Sequence, residues 1–433
     1  MSKGTYRSRP VKVLDWDRVA LESRGRIVVA VDVAKERQYA SFMTDRKEVL
    51  VTVTWKHPEE TPEFLSGCAR LRALGVKVEA AMEPTGTYGD AIRAGLLDRG
   101  VEVYRVAGKR VNDSRELRDG VPSLHDAKAA QLVGWLHLEG ASEPWPLRSE
   151  WEREVRAGRD MMAMWQERVQ TALGRLEAKL ARHWPEATQH LELTSAALHA
   201  LLAEYGSPAA VAAAGMQAVK LLRKVGRSFL SEDKALALVE SARSTQGLPM
   251  TPLERKYVRG LAADIVQSAK AQREAEGNLV ALTREQIPRE ASALVGAPTA
   301  AMLVASGADP SQYKSAAAFQ KAIGLNLREK SSGKEKGRLH ISKRGDADVR
   351  QSLFMATLRL IKVNAVVRAW YIRKVSRDGG RVSKINAVVA VERKLALALW
   401  HVWTEAEAFD ASKLFDVSRL AQELRRMGEA QAV

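Results

Sequence analysis

The stretch Arg26-Ile27-Val28-Val29-Ala30-Val31-Asp32-Val33-Ala34-Lys35 decides the reading of the N-terminal part of the chain. An apolar, β-branched run of this length predicts a buried strand. A carboxylate in the middle of such a run is costly unless it faces a cleft and has a partner such as a metal ion. The apolar residues on both sides of Asp32 argue against an ordinary surface acid. Two further acids sit in related places. Glu83 follows the apolar segment 76–82 and precedes Pro84-Thr85-Gly86, and Asp126 opens the helix-like run Asp126-Ala127-Lys128-Ala129-Ala130-Gln131-Leu132-Val133. Taken alone, Glu83 reads equally well as a strand-end acid before a turn. Ser123 with Asp126 also fits a capping box that needs no metal.

The surrounding pattern supports the strand reading. Strands are expected at 27–33, 39–43 and 49–55, the second and third joined by the polar turn Thr44-Asp45-Arg46. Thr61-Pro62-Glu63 opens a helix by cap and first-turn chemistry. A fourth strand over 76–82, a helix near 91–99 stopped by Gly100, and a fifth strand over 101–106 follow. A three-stranded meander followed by alternating helix and strand, with acids on the first strand, a later central strand and a following helix, predicts an α/β domain of RNase H-like fold over 26–146. Three carboxylates on rigid elements suit Mg²⁺, which takes oxygen ligands and keeps several waters.

The chain has 433 residues, enough for roughly two to four domains. It carries 68 Lys and Arg against 52 Asp and Glu, a net charge of +16, which favours a polyanionic partner, most simply nucleic acid. The single cysteine, Cys68, excludes an internal disulfide and a Cys-based zinc site, and fits a reducing, cytoplasmic compartment. No apolar run approaches the roughly 18 residues that a membrane span needs. Residues 1–25, with Lys3, Arg7, Arg9 and Lys12, read as a flexible basic arm.

The middle of the chain, 147–287, reads as helical. Long amphipathic stretches at 149–184, stopped by Pro185, and at 252–286, opening at Thr251-Pro252, suggest an antiparallel coiled-coil arm. From about Leu294 two short helices around a Gly-containing turn resemble a helix-hairpin-helix unit, and helices follow at 348–363 and 382–405. Residues 368–374, Arg368-Ala369-Trp370-Tyr371-Ile372-Arg373-Lys374, fit either base stacking or core anchoring, and anchoring is the commoner use.

The second chemically suggestive segment runs from Gly324 to Gly345. Ser332 precedes Gly333, where backbone approaches a substrate closely, and Lys334, Lys336, Arg338, Lys343 and Arg344 surround it in sequence. A serine hydroxyl needs a base, a metal or a cationic field to act as a nucleophile. The same cations suit a scissile phosphate; equally, the segment reads as a solvated basic loop.

Taken together, Val31-Asp32-Val33-Ala34-Lys35, Met82-Glu83-Pro84-Thr85-Gly86, His125-Asp126-Ala127-Lys128, Gly324-Leu325, Ser331-Ser332-Gly333-Lys334 and Ile341-Ser342-Lys343-Arg344-Gly345 resemble the DEDD-type insertion-sequence transposases. That family of bridge-RNA-guided recombinases includes the Piv invertase. The resemblance implies a RuvC-like domain over 26–146, a coiled-coil arm over 147–287, a mainly α-helical transposase domain over 288–420 and a tail over 421–433. It implies Mg²⁺ held by Asp32, Glu83 and Asp126, and a nucleophilic serine at Ser332, with Ser331 close behind. It further implies a guide RNA, donor and target DNA, and a homodimer that assembles to a tetramer near the bacterial nucleoid. One departure stands out: the family's acid three residues before Asp126 is Ser123 here. The fourth acid is then absent, replaced by His125, or supplied by Asp119. The alternative function is a metal-dependent nuclease or junction resolvase without serine chemistry.

Overall fold

The computed structural model describes residues 6–117, 119–332, 335–376, 383–426 and 428. Two compact units divide the chain, Met1–Ser149 and Glu150–Val433.

The first unit is a seven-stranded mixed sheet with helices on both faces. Its strands are β1 (Ser8–Pro10), β2 (Arg26–Asp32), β3 (Arg37–Met43), β4 (Val49–Lys56), β5 (Lys77–Met82), β6 (Glu102–Val106) and β7 (Ser142–Pro144), in the order β1-β4-β3-β2-β5-β6-β7. Its helices are α1 (Trp16–Glu22), α2 (Thr61–Ala73), α3 (Asp90–Asp98), α4 (Gly108–Asp113) and α5 (Asp126–Leu138). The β2–β3–β4 meander is antiparallel, and β5 and β6 join β2 in parallel.

Three expectations change here. Asp32 is the last residue of its strand and not its middle, because the chain turns at once and the Gln38 side chain bonds both the N–H and the carbonyl of Ala34. The edge strands β1 and β7 carry no sequence signal, being three residues long and ending in proline, which an edge position tolerates. The segment read as a flexible basic arm is built into the fold over its described part. There β1 pairs with β4, Val11 and Val19 are buried, and the Trp16 ring sits edge-on to Phe42 over a space that any side chain at Gly67 would fill.

In the second unit, the helices Glu150–His183 and Pro252–Thr283 run antiparallel. Trp151 Nε1 donates to the Leu282 carbonyl at 3.0 Å, Arg168 pairs with Asp264 at 2.6 Å, and Lys179 lies over the Tyr257 ring. Shorter helices between them, from Ala187–His190 to Glu232–Arg243, close a core of Leu198, Leu202, Val211, Leu222 and Leu238 against Leu176 and Ile265 of the long pair and Trp184 just past the first of them. The C-terminal part stacks Arg289–Val295, Ala297–Ala305, Ala316–Ala322, Ala347–Val363, Ala365–Ser376 and Lys384–Glu405 around Phe319, Leu353, Leu395 and Leu399. Trp370 packs on Phe415 at 5.3 Å between ring centres, so the aromatic-basic segment supplies an anchor. The glycine- and lysine-rich segment, read as a possible loop, is instead an antiparallel hairpin of β8 (Leu327–Ser332) and β9 (Glu335–Ile341).

Strand alternation decides which side of the first unit's sheet each residue serves. Ile27, Val29 and Val31 of β2 with Val78, Ala80 and Met82 of β5 bury against α2 and α3. Val28, Ala30 and Ala81 face the other way and bury with Leu132, Val133 and Leu136 of α5. The closest point is Gly134, where a Cβ would lie 2.8 Å from the Ala30 Cβ and 2.5 Å from the Met43 sulfur. Gly134→Val is expected to cost about 1–3 kcal/mol through overpacking. Thermal unfolding followed by circular dichroism reads this as a lowered midpoint; an unchanged midpoint contradicts the close helix–sheet contact.

Candidate active site

Asp32 and Glu83 share the face of the sheet that α5 covers. They follow Ala30 and Ala81 by two positions, which keeps them on the same side. Val31 is paired with Met82 in the parallel β2–β5 register, so the two acids stand side by side where both strands end at their carboxyl ends. That is where open α/β sheets place ligands. The third acid, Asp126, is the first residue of α5, the helix on this same face. Gly108, at the start of α4, completes the surroundings: a Cβ there would lie 2.2 Å from the Glu83 Oε1, so a side chain at this position would push the carboxylate out of its present place.

The electrostatics agree with the placement. Asp32 is half-buried, and its carboxyl is pushed up to about 7, first by burial and then by the charges of Asp126 and Glu83. Burial also raises Glu83. Asp126 is exposed at the mouth of the site. Among the described residues, no group of three or more His, Cys, Asp or Glu side chains is arranged to hold an ion. The three acids thus share a face and a region and do not form a closed ligand shell. Their donor set still fits a hard divalent cation: every donor is a carboxylate oxygen, and a partly buried acid raised by two like charges is stabilised by a cation placed among them.

The start of α5 is held by residues that pattern alone did not single out. Lys128, buried, donates from Nζ to Asp119 Oδ1 at 2.7 Å, to the Val121 carbonyl at 2.8 Å and to the Ser123 carbonyl at 3.2 Å. Tyr6 donates to the other Asp119 oxygen and packs edge-on to His125. Asp119 is held down to about 2 by Lys128 first, then by the Val121 N–H and Tyr6. Its carboxylate is thus engaged in bracing the loop before α5. The expected capping box does not form: the N-cap is His125, whose Nδ1 accepts from the Lys128 N–H, and Ser123 lies exposed two residues earlier. A lysine inside the Asp-Ala-Lys motif was the available sequence signal for this brace.

The second chemically suggestive segment belongs to the other unit. Ser332 ends β8, its backbone paired with Glu335, and Ser331 precedes it. The side chains of Ser331, Ser332, Lys336 and Arg338, and all of Lys334, lie outside the described residues. Lys343 and Arg344 are exposed just after β9, with Lys343 at a left-handed φ of 54°. The hairpin's base is clamped by residues not anticipated from sequence. An Arg350 guanidinium nitrogen lies 3.0–3.2 Å from the carbonyls of Ile323, Arg344, Gly345 and Asp346, and Arg393 Nε donates to the Leu325 carbonyl at 2.8 Å. Gly324, at φ 79°, abuts the Arg344 carbonyl so closely that no side chain fits.

Among the described residues no helix is long and apolar enough to cross a membrane. Comparison with curated proteins finds no match. Two family comparisons do match: residues 29–185 to the DEDD transposase family of IS110 type, and residues 294–372 to the family described as Transposase IS116/IS110/IS902. The first covers the sheet from Val29 of β2 onward, its three acids and the whole of the first long helix; the second covers the hairpin and the helix of Arg350 that clamps its base. The chain therefore carries the transposase domains of the IS110 family of insertion sequences.

Proposed function

We propose that this transposase exchanges strands between donor and target DNA under the direction of a bound guide RNA, using a metal-assisted acid cluster and a serine nucleophile. The observation that carries the catalytic part is the convergence of Asp32, Glu83 and Asp126 on one face of the sheet at the ends of two adjacent parallel strands. Asp32, Glu83 and Asp126 are the residues that would hold Mg²⁺. When bound, the ion stabilises negative charge on the oxygens of the reacting phosphate. The chain's own part is to keep the carboxylates rigid on strand ends and a helix start, with Lys128 and Asp119 fixing the loop between.

Ser332, or Ser331 beside it, attacks the scissile phosphorus. The hydroxyl proton passes to a base, the Oγ–P bond forms, one phosphodiester P–O bond breaks, and the departing DNA oxygen takes up a proton. Attack by a second DNA hydroxyl on the same phosphorus reverses these changes and releases the serine. Lys334, Lys336, Arg338, Lys343 and Arg344 bind the phosphates around it. The net charge of +16 supports the nucleic-acid partners, and the resemblance supports a guide RNA and a dimer that becomes a tetramer on two DNA partners. The second reading, a resolvase-like nuclease, is favoured by one fact: all three acids belong to a single unit, and the serine hairpin belongs to the other.

Asp32→Asn and Glu83→Gln are each expected to lower DNA strand exchange at least about a hundredfold, within the range for lost transition-state charge stabilisation, while circular dichroism stays unchanged. Exchange at the wild-type rate in both variants excludes this acid site. Ser332→Ala is expected to abolish a covalent protein–DNA adduct while preserving DNA binding, and peptide mapping of the wild-type adduct is expected to place it at Ser332 or Ser331. Normal exchange in both Ser332→Ala and Ser331→Ala leaves the nuclease reading in place of this one.

A further inference from the structure

The insert between the two long helices carries a feature that its own packing does not explain. The helix Met216–Gly226 buries Ala218, Val219 and Leu222. Its outer side presents Lys220, Arg223, Lys224 and, just past its end, Arg227, all exposed and spaced i, i+3, i+4, i+7, which gathers them in one stripe. Like charges at these spacings repel. The helix dipole favours cations near the C-terminus and offsets part of that repulsion. Among the described residues none of the four forms an ion pair; the nearest acids in sequence, Glu232 and Asp233, sit in the first turn of the next helix, where they suit its N-terminus.

The stripe runs directly into an exposed aromatic. In the turn Arg227–Phe229, Arg227 takes a φ of 51°, a left-handed backbone that side chains other than glycine disfavour. Leu230 then drops into the core, and Arg223 reaches across to its carbonyl. Phe229, the residue before it, is left 95 % exposed. Neither the dipole nor the core accounts for a fully solvated phenyl ring held at the end of a cationic stripe. Phosphates along the stripe and an unpaired base against the ring account for both, since base–aromatic stacking beside a basic track is how proteins hold single-stranded nucleic acid.

We propose that Lys220, Arg223, Lys224, Arg227 and Phe229 form a binding surface for an unpaired nucleic-acid strand, with phosphates on the cations and a base stacked on Phe229. This surface lies on elements other than those of the acid cluster and the serine hairpin.

The test uses the full-length chain bearing Asp32→Asn, so that binding is read without cleavage, and fluorescence anisotropy with labelled 20-nucleotide oligo-U RNA and oligo-dT DNA. Phe229→Ala is expected to weaken binding about tenfold, within the range of one lost stack, and Phe229→Trp to retain it. Replacing Lys220, Lys224 and Arg227 together by Gln is expected to reduce the slope of log affinity against log salt by about 2, from about 0.7 per released counterion on a single strand. Tighter binding of RNA identifies the strand as guide, and tighter binding of DNA identifies it as a separated DNA strand; either supports the surface. Wild-type affinity in Phe229→Ala and in the triple variant overturns it. So does a change in sedimentation of Phe229→Ala with unchanged oligonucleotide binding, which assigns the ring to a protein contact.

Discussion

The acid cluster depends on one constraint, the two-residue alternation of β2 and β5 in a fixed parallel register. Ala30 and Ala81 must face α5 because Val29, Val31, Ala80 and Met82 fill the opposite core. Two positions on, at the ends of both strands, the same face receives Asp32 and Glu83 with no further choice available. A slip of one residue would bury both acids among the leucines of α2 and α3. The apolar packing of the sheet therefore sets the position of the carboxylates, and the electrostatic cost of that placement is visible in Asp32, raised first by its burial and then by the charges of Asp126 and Glu83.

The third acid is placed by a different device. Asp126 is brought to the site by the docking of α5, which depends on the missing side chain at Gly134, and by the brace of Lys128, Asp119, Tyr6 and His125 around the preceding loop. Lys128 takes three oxygen partners, so a buried ammonium is fully used in a place where an unpaired one would be costly. Asp119 answers the question raised by Ser123 in part: its carboxylate serves this brace, and the charges that raise Asp32 come from Asp126 and Glu83. The hairpin of the second unit is rooted on similar logic, with one Arg350 guanidinium nitrogen set among four carbonyls at the entry to β8 and the exit from β9.

The meander, the parallel strands, both long helices and the places of Asp32, Glu83 and Asp126 next to strand ends and a helix start were legible because long apolar runs with period 2 or 3.6 report burial directly. The short edge strands were not, since three residues cannot show a period. The N-terminal segment was misread because its charges dominate its composition, while the residues that fix it, Val11, Trp16 and Val19, are few and widely spaced. The hairpin was hidden by its glycines and lysines, which lower strand propensity; its ladder is held by clamps from distant helices, Arg350 and Arg393, that no local pattern reveals. The His125 cap was likewise invisible, because histidine is not a usual N-cap residue.

The central claim, that the three carboxylates share one cation, is tested most directly by titrating the purified chain with Mn²⁺ at pH 7.5 and reading free metal by electron paramagnetic resonance. The account predicts saturable Mn²⁺ binding that Mg²⁺ competes away and that is lost or strongly weakened in each of Asp32→Asn, Glu83→Gln and Asp126→Asn. Equal Mn²⁺ binding in the wild type and all three variants would contradict it.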